Sequence, residues 1–345
     1  MALLKLQNCD AFVVRDLDTE TPAIGIVRSA KKILQGGAKD LARSQTYQCA
    51  ALGMRMQGAS AGVNALPEDR DQALAAFSDE LTEAVSAGSL MIDAAKGVST
   101  ESIAALSSAD ARNAARLTHV GKRSMSTHLA ARGAVSCAAT ARSLDGAAIA
   151  IENFDDTGAA IAEMVTEAGA RIVAVSTSAG AAMSSDGFSV DMLVSALANN
   201  GPAMVGSLSD EEIPFWKILG ADCDVLFAGS KMGVVDHKGA ENVKASLLVP
   251  TGPIPYTTKG ALVLERQDTT VLPDFVTTAG NIFAGFPPNG EDQASLEAAV
   301  TAQLSALTDT ILGKKDIAIL EACYQAETFL GTWREELPFG RPFAA

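Results

Sequence analysis

The chain has 345 residues, 48% hydrophobic and 20% charged, with a formal charge of −14; this excludes a disordered chain, and without a clustered Lys/Arg run it argues against nucleic acid or an anionic membrane as partner. No stretch approaches the ~18 uninterrupted apolar residues of a spanning helix, and residues 1–10 lack a basic segment followed by an apolar one, so neither a membrane anchor nor a signal peptide is expected. Five scattered cysteines (Cys9, Cys49, Cys137, Cys223, Cys323) without CxxC spacing and only three histidines (His119, His128, His237) point to reduced thiols in a cytoplasm and to no metal site.

In chain order, Phe12–Val14 and Ala23–Val27 read as strands. Leu74, Phe77, Leu81 and Val85 recur at spacings of three and four, which predicts a helix over Asp71–Gly88 with Gly88 as its stop. From about Arg132 the pattern changes. The apolar strand Ala147–Ile151 is followed by a helix with Ile161, Met164, Val165 and Ala168 on one face and Gly169 at its end. The strand Arg171–Ser176 comes next. Strand, helix, strand with short links is a βαβ unit and implies a parallel sheet. Asp224–Ala228, Ser246–Val249 and the segment around Val271–Leu272 add strands, carrying the sheet to about residue 285. Two helices close the chain, one with Leu296, Val300, Leu304, Leu307 and Ile311 on one face, the other ending near Thr332.

The segments Ser44-Gln45-Thr46-Tyr47-Gln48-Cys49-Ala50 and Gly58-Ala59-Ser60-Ala61-Gly62 are similar to a pattern of the form MTYKxA…GGxKGG. Ile149-Ala150-Ile151-Glu152-Asn153-Phe154-Asp155-Asp156-Thr157-Gly158 sits where that pattern continues as VxxQGFGNVG. Cys223–Leu226 and Leu272–Val276 match its CDVL and LPD[FI]. Over roughly residues 10–330 the chain thus resembles the glutamate/leucine/phenylalanine/valine dehydrogenases. The resemblance implies an α/β fold of two domains. These are an N-terminal dimerisation and substrate domain (1–130) and a Rossmann-like, doubly wound parallel-sheet domain (131–290), with C-terminal helices (291–345) packing back across them. It further implies reversible oxidative deamination of an amino acid with NAD(P), a cleft that takes a small molecule, and an oligomer.

The residues that would perform this chemistry are replaced. The resemblance places the carboxylate-binding lysine at Gln48 and the catalytic lysine at Ser60, neither of which supplies an ammonium. The proton-shuttling acid falls at Gly97 or Lys96, and Asp93 is a weaker candidate for the missing acid. A dinucleotide loop needs glycine at its tight turn and again at the pyrophosphate. Asn153 and Asp155 stand there, and only the helix-packing Gly158 remains. At ~4 Å and an effective dielectric near ~20, a like-charge contact with a phosphate costs ~4 kcal/mol, about a thousandfold in affinity. Asp155 or Asp156 can instead cap the following helix. The ribose-binding acid falls at the uncharged Thr177, and the asparagines near the nicotinamide pocket are lost at Pro253 or Ile254 and within Thr278–Asn281.

Arg55, Ser60, Lys96, His128, Arg132, Lys231 and Asp274 remain as candidate substitutes, with Lys96, Ser60 and His128 for catalysis and Gln48, Arg55 and Arg132 for ligand binding. A solvated loop lysine, a structural histidine and a turn-forming Asp274 are the bland alternatives. Three readings follow. The first is a dehydrogenase-like protein without bound cofactor, acting as a regulatory or structural subunit beside a motif-complete paralogue. The second is an enzyme with NAD-independent chemistry on a small amino or keto acid. The third is an atypical amino-acid dehydrogenase whose altered loop still holds NAD(P).

Overall fold

Alternating apolar side chains in the first strands build a sheet buried on both faces. The computed structural model describes residues 1–209, 211, 213–314 and 317–343. β1 (Ala2–Lys5), β2 (Ala11–Arg15), β3 (Ala23–Ala30), α1 (Gln35–Ala51), β4 (Gln57–Asn64), α2 (Arg70–Ser86), β5 (Leu90–Ala94) and α3 (Ala104–Ala109) follow one another. The strands are ordered β1-β2-β4-β3-β5. β3 is parallel to β4 and β5, whereas β2 is antiparallel to β1 and β4. Val13, Val27, Ala61, Val63 and Ile92 face Leu74, Phe77, Leu81 and Val85 of α2. Phe12 and Val14, pointing the other way, face Ala38 and Ala42 of α1. Each fully buried Leu or Phe here is worth about 1.5–3 kcal/mol. The helix expected over Asp71–Gly88 is α2, and Gly88 ends it at φ +69°. Gly58 lets α1 approach, because a Cβ there would lie 1.9 Å from the Ala42 carbonyl oxygen.

The chain continues through β6 (His119–Val120), β7 (Arg123–Ser124), α4 (Met125–Ala141), β8 (Ala148–Ile151), α5 (Asp156–Glu167), β9 (Arg171–Thr177), β10 (Gly180–Phe188) and α6 (Val190–Asn200). Then come β11 (Val225–Ala228), α7 (His237–Ala240), β12 (Leu247–Pro250), α8 (Thr258–Arg266), β13 (Thr270–Val271), α9 (Asp274–Thr277), α10 (Ile282–Gly285), α11 (Gln293–Leu312) and α12 (Ala318–Leu330). The second sheet runs β10-β9-β8-β11-β12-β13. In order of appearance this is 3-2-1-4-5-6, the doubly wound arrangement.

The sheet is parallel except at its edge. There β10 is antiparallel to β9, pairing Gly180 with Thr177. The parallel sheet expected from the βαβ pattern is corrected at this strand. Ser178 and Ala179 form a tight turn that leaves no room for a crossover helix. The small residues Gly180, Ala181 and Ala182 carry no alternation by which the strand could be read.

The described residues fall into two units. The first contains Met1–Arg112 with Cys323–Phe343, and the second contains Asn113–Ala322.

Candidate functional site

In the second unit the strand order reverses between β8 and β11. Open sheets of this kind bind ligands outside the carboxyl ends of their strands at such a point. β8 ends at Ile151, and the next residue, Glu152, is only 2% exposed. Its Oε2 accepts the backbone N–H groups of Gly229 and Ser230, both at 2.9 Å, just beyond β11. Asn153 then turns the chain with φ +69°, a conformation Asn tolerates better than most residues.

Asp155 is the helix cap, which settles the choice between Asp155 and Asp156. Its Oδ1 accepts from the backbone N–H of Thr157 at 2.9 Å and of Gly158 at 3.1 Å, while Oδ2 accepts from Asn153 Nδ2 at 2.7 Å. Gly158 is buried, and a Cβ there would lie 3.0 Å from the Asn153 carbonyl oxygen, so the start of α5 packs closely on the turn after β8. Thr177 ends β9, donating to the Pro202 carbonyl at 2.5 Å and accepting from the Ala179 N–H at 3.2 Å. A pocket of about 430 Å³ opens here, lined among others by Thr127, Asn153, Asp155, Asp156, Thr157 and Thr177. Backbone donors at two positions, the start of α5 and the loop after β11, are held by the chain's own carboxylates. The start of α5 is the helix N-terminus at which a phosphate group would seek free N–H groups.

His128 and Arg132 lie one turn apart on α4, facing α11. His128 Nε2 is 2.8 Å from Glu297 Oε1, and Arg132 Nη2 donates to Glu297 Oε2 at 2.8 Å. Gln293 adds a third hydrogen bond at 2.7 Å. Burial pushes the Glu297 carboxyl up, but the hydrogen bonds from Gln293 and His128 and the Arg132 charge outweigh it and hold the carboxyl below its ordinary value. The cluster clamps two helices.

Lys231 is exposed, with Nζ 5.6 Å from the centre of the Phe215 ring. Asp274 is fully buried and accepts from the Ile254 N–H at 2.9 Å and the Tyr256 hydroxyl at 3.1 Å. It therefore braces the turn in which Ile254 adopts φ +49°.

The first unit contains the other candidates. Gln48, on α1, is 4% exposed and accepts from Gln45 Nε2. Ser60 is fully buried in β4, and its hydroxyl has no hydrogen-bond partner among the described residues. Arg55 is exposed. Lys96 is exposed on the turn after β5, where its carbonyl accepts the Ser29 N–H at 3.0 Å. That turn lacks the burial by which a lysine becomes a base or Schiff-base nucleophile. Asp93 is held by Arg112 at 2.7 and 2.8 Å, and Asp110 braces the same guanidinium.

Residue pattern alone missed Glu152 and Glu297. Glu152 and Glu297 look like surface acids; the backbone donors of Glu152 lie 77 and 78 positions away, and the α4 partners of Glu297, His128 and Arg132, lie 169 and 165 positions away. Only the acid directly after an apolar strand could have signalled Glu152. Among the described residues there is no group of three or more His, Cys, Asp or Glu suited to a metal, and no helix long and apolar enough to cross a membrane.

Residues 119–286 match the family model described as Glutamate/Leucine/Phenylalanine/Valine dehydrogenase. The cryptic catabolic NAD-specific glutamate dehydrogenase GudB of Bacillus subtilis is 27% identical over 161 residues, 45% of this chain and 37% of that protein. The matched stretch thus spans well under half of that relative. Among solved structures, the hetero-hexameric glutamate dehydrogenase of Thermus thermophilus (Leu bound form) superposes with a TM-score of 0.76 at 19% identity, covering 92% of this chain and 83% of that one. The L-tryptophan dehydrogenase of Nostoc punctiforme gives 0.67 at 16% identity, covering 96% of both chains. The protein has the two-domain amino-acid dehydrogenase fold with a Rossmann-like second domain, and it resembles the Glu/Leu/Phe/Val dehydrogenase family.

Proposed function

We propose that this chain is a dehydrogenase-like protein without NAD-dependent oxidative deamination, a non-catalytic regulatory or structural subunit that assembles with a motif-complete dehydrogenase paralogue. The observation that carries the reading is the pair of carboxylates at the β8–β11 switch point. Asp155 occupies the first N–H groups of α5, and Glu152 those after β11. A diphosphate would have to displace two anions already hydrogen-bonded to the donors it needs, and would meet Asp156 as well. The replacement of both lysines by Gln48 and Ser60, and of the acid by Lys96 or Gly97, points the same way. The hetero-hexameric assembly of the Thermus thermophilus protein is a precedent for unlike subunits on this fold. A reducing, cytoplasmic setting suits the five free thiols.

Titration of the purified protein with NADH and NADPH, followed by nucleotide fluorescence, tests the reading. No binding up to millimolar is expected. Micromolar binding refutes it and restores an atypical dehydrogenase. The subunit role is tested by native pull-down from the host, in which a motif-complete dehydrogenase should co-purify. A pure homo-oligomer counts against that role.

A small-molecule ligand in the first unit is the second reading, with or without chemistry. It is supported by Ser60, whose hydroxyl is buried in a sheet with no hydrogen-bond partner among the described residues, as expected where a ligand group completes the hydrogen bonding.

A further inference from the structure

Aromatic residues are few in this chain, and among the described residues three are exposed: Trp216, Tyr324 and Phe339. Tyr324 lies under Arg341, whose guanidinium is 4.8 Å from the ring centre. Trp216 and Phe339 stay open to water, at 57% and 101% exposure. Leaving rings of this size in water is costly, and each stands in a setting that suits the other.

Trp216 lines a pocket of about 970 Å³ in the second unit, together with residues of β10, the turn Phe215–Gly220 and α7. Phe215 meets Trp216 edge-on, with ring centres 5.4 Å apart. Lys231 lies over the Phe215 ring at 5.6 Å, and Lys217, Lys238 and Lys244 line the same pocket. All four lysines are exposed, and none is ion-paired among the described residues. The acids among the described lining residues are Glu211 and Asp236, and Asp236 caps α7 by accepting the Gly239 N–H at 2.7 Å.

The first unit carries the complement. Residues 335–339 read Glu-Glu-Leu-Pro-Phe, and all but Pro338 are exposed. Their backbone is held in place. Arg43 Nη1 donates to the carbonyls of Phe339 and Gly340, and Arg43 is itself ion-paired to the buried Asp16 at 2.9 Å. Arg341 anchors the next residues through Glu327, at 2.7 and 2.9 Å. Pro338 fixes its own φ and favours an extended Leu337. The segment thus presents two apolar side chains beside two carboxylates, on a backbone with little freedom left to lose, which lowers the entropic cost of docking.

We propose that residues 335–339 of one copy dock in the Trp216 pocket of a second copy. Phe339 and Leu337 cover Trp216 and Phe215, and Glu335 and Glu336 meet the lysines. Burial of the rings removes apolar surface from water, and the opposite charges steer and orient the approach. The two halves are different surfaces, so the contact is head-to-tail, and a series of copies closes into a ring or extends. A contact made by one short segment falls at the small end of protein interfaces, so the association is reversible and depends on concentration. The inference goes beyond the subunit reading and does not rest on it, because copies are joined in this way with or without an unlike subunit.

The test is sedimentation velocity on the full-length protein from about 1 µM to about 100 µM, over which the parent's average mass rises. Leu337→Ala with Phe339→Ala weakens the association at least about tenfold. Lys231→Glu with Lys238→Glu, and separately Glu335→Lys with Glu336→Lys, each weaken it at least about tenfold. An equimolar mixture of those two charge variants regains the parent's association, because every pocket then finds a segment of opposite charge. A parent that stays monomeric overturns the proposal. So does association untouched by the Leu337 and Phe339 changes, or a mixture as weak as its components. If a variant fails to fold, the unaltered protein is titrated with a synthetic peptide of residues 334–343. The peptide lowers the average mass and the same peptide with Phe339→Ala does not, whereas equal effects, or none, refute the docking.

Discussion

Replacing Asp155 separates its two effects, on stability and on nucleotide exclusion. Asp155→Ala removes the acceptor of the Thr157 and Gly158 N–H groups. Loss of such a cap costs about 1 kcal/mol, and loss of a negative charge at a helix N-terminus about 0.3–1 kcal/mol more. For a domain the size of residues 113–322, about 1–2 kcal/mol lowers Tm by about 2–8 °C. Asp155→Asn keeps the cap without the charge and costs only the charge contribution, about 0.3–1 kcal/mol.

The effect on binding runs opposite to that on stability. Removing a carboxylate ~4 Å from a phosphate relieves ~4 kcal/mol at an effective dielectric of ~20. Asp155→Asn and the pair Asn153→Gly with Asp155→Gly therefore bind NADH more tightly than the parent, by up to about a thousandfold. Glu152→Gln adds to this by removing the second anion from the switch point. Scanning calorimetry and NADH fluorescence on the same preparations measure both quantities. If Asp155→Ala leaves Tm unchanged, or if the glycine pair binds NADH no better than the parent, the self-liganded loop is not what excludes the nucleotide.

Three further outcomes are expected. Asn153→Ala, which puts a Cβ at φ +69° without the local hydrogen bond to Asp155, destabilises the second unit by about 1–2 kcal/mol, while Asn153→Gly is close to neutral; urea denaturation distinguishes the two. Glu297→Gln weakens two charge-assisted hydrogen bonds and costs about 1–3 kcal/mol. Because the folded Glu297 carboxyl is held below its ordinary value, its contribution is complete above the unfolded pKa of about 4.3 and is lost as pH falls through the lower folded value; the variant's stability should fall less steeply in that acid range, and an identical pH profile would contradict the clamp. Burial pushes the Cys49 and Cys137 thiols up to about 12, and burial aided by Asp224 does the same to Cys223; Ellman's reagent at pH 8 should therefore leave all three intact in the native protein within minutes, and their rapid modification would show that the cores open readily.

Periodicity was enough to locate α2, α5, α11 and the strands β8, β9, β11 and β12, because each buries one regular face and 3.6- or 2-residue spacing records it. It was not enough for β4 or β10. The run Gly58-Ala59-Ser60-Ala61-Gly62 has hardly any side chains to alternate, and its strand character comes from parallel pairing with β3 and the close approach of α1. Local spacing also disclosed the altered loop, since residues two and three apart both form the turn and cap the helix. The sequence by itself determined the α/β class, the family resemblance and the replacement of glycines and lysines by Asn153, Asp155, Gln48 and Ser60. Only the tertiary structure decided which donors those side chains occupy. It tied Glu152 to Gly229 and Ser230 across the switch point, bound His128 and Arg132 to Glu297, and left Arg28 and Ser60 unsatisfied on adjacent strands. Hydrogen-bond satisfaction depends on which groups meet in space: these partners lie far apart in the chain, and Arg28 Nε and Nη2 meet none among the described residues.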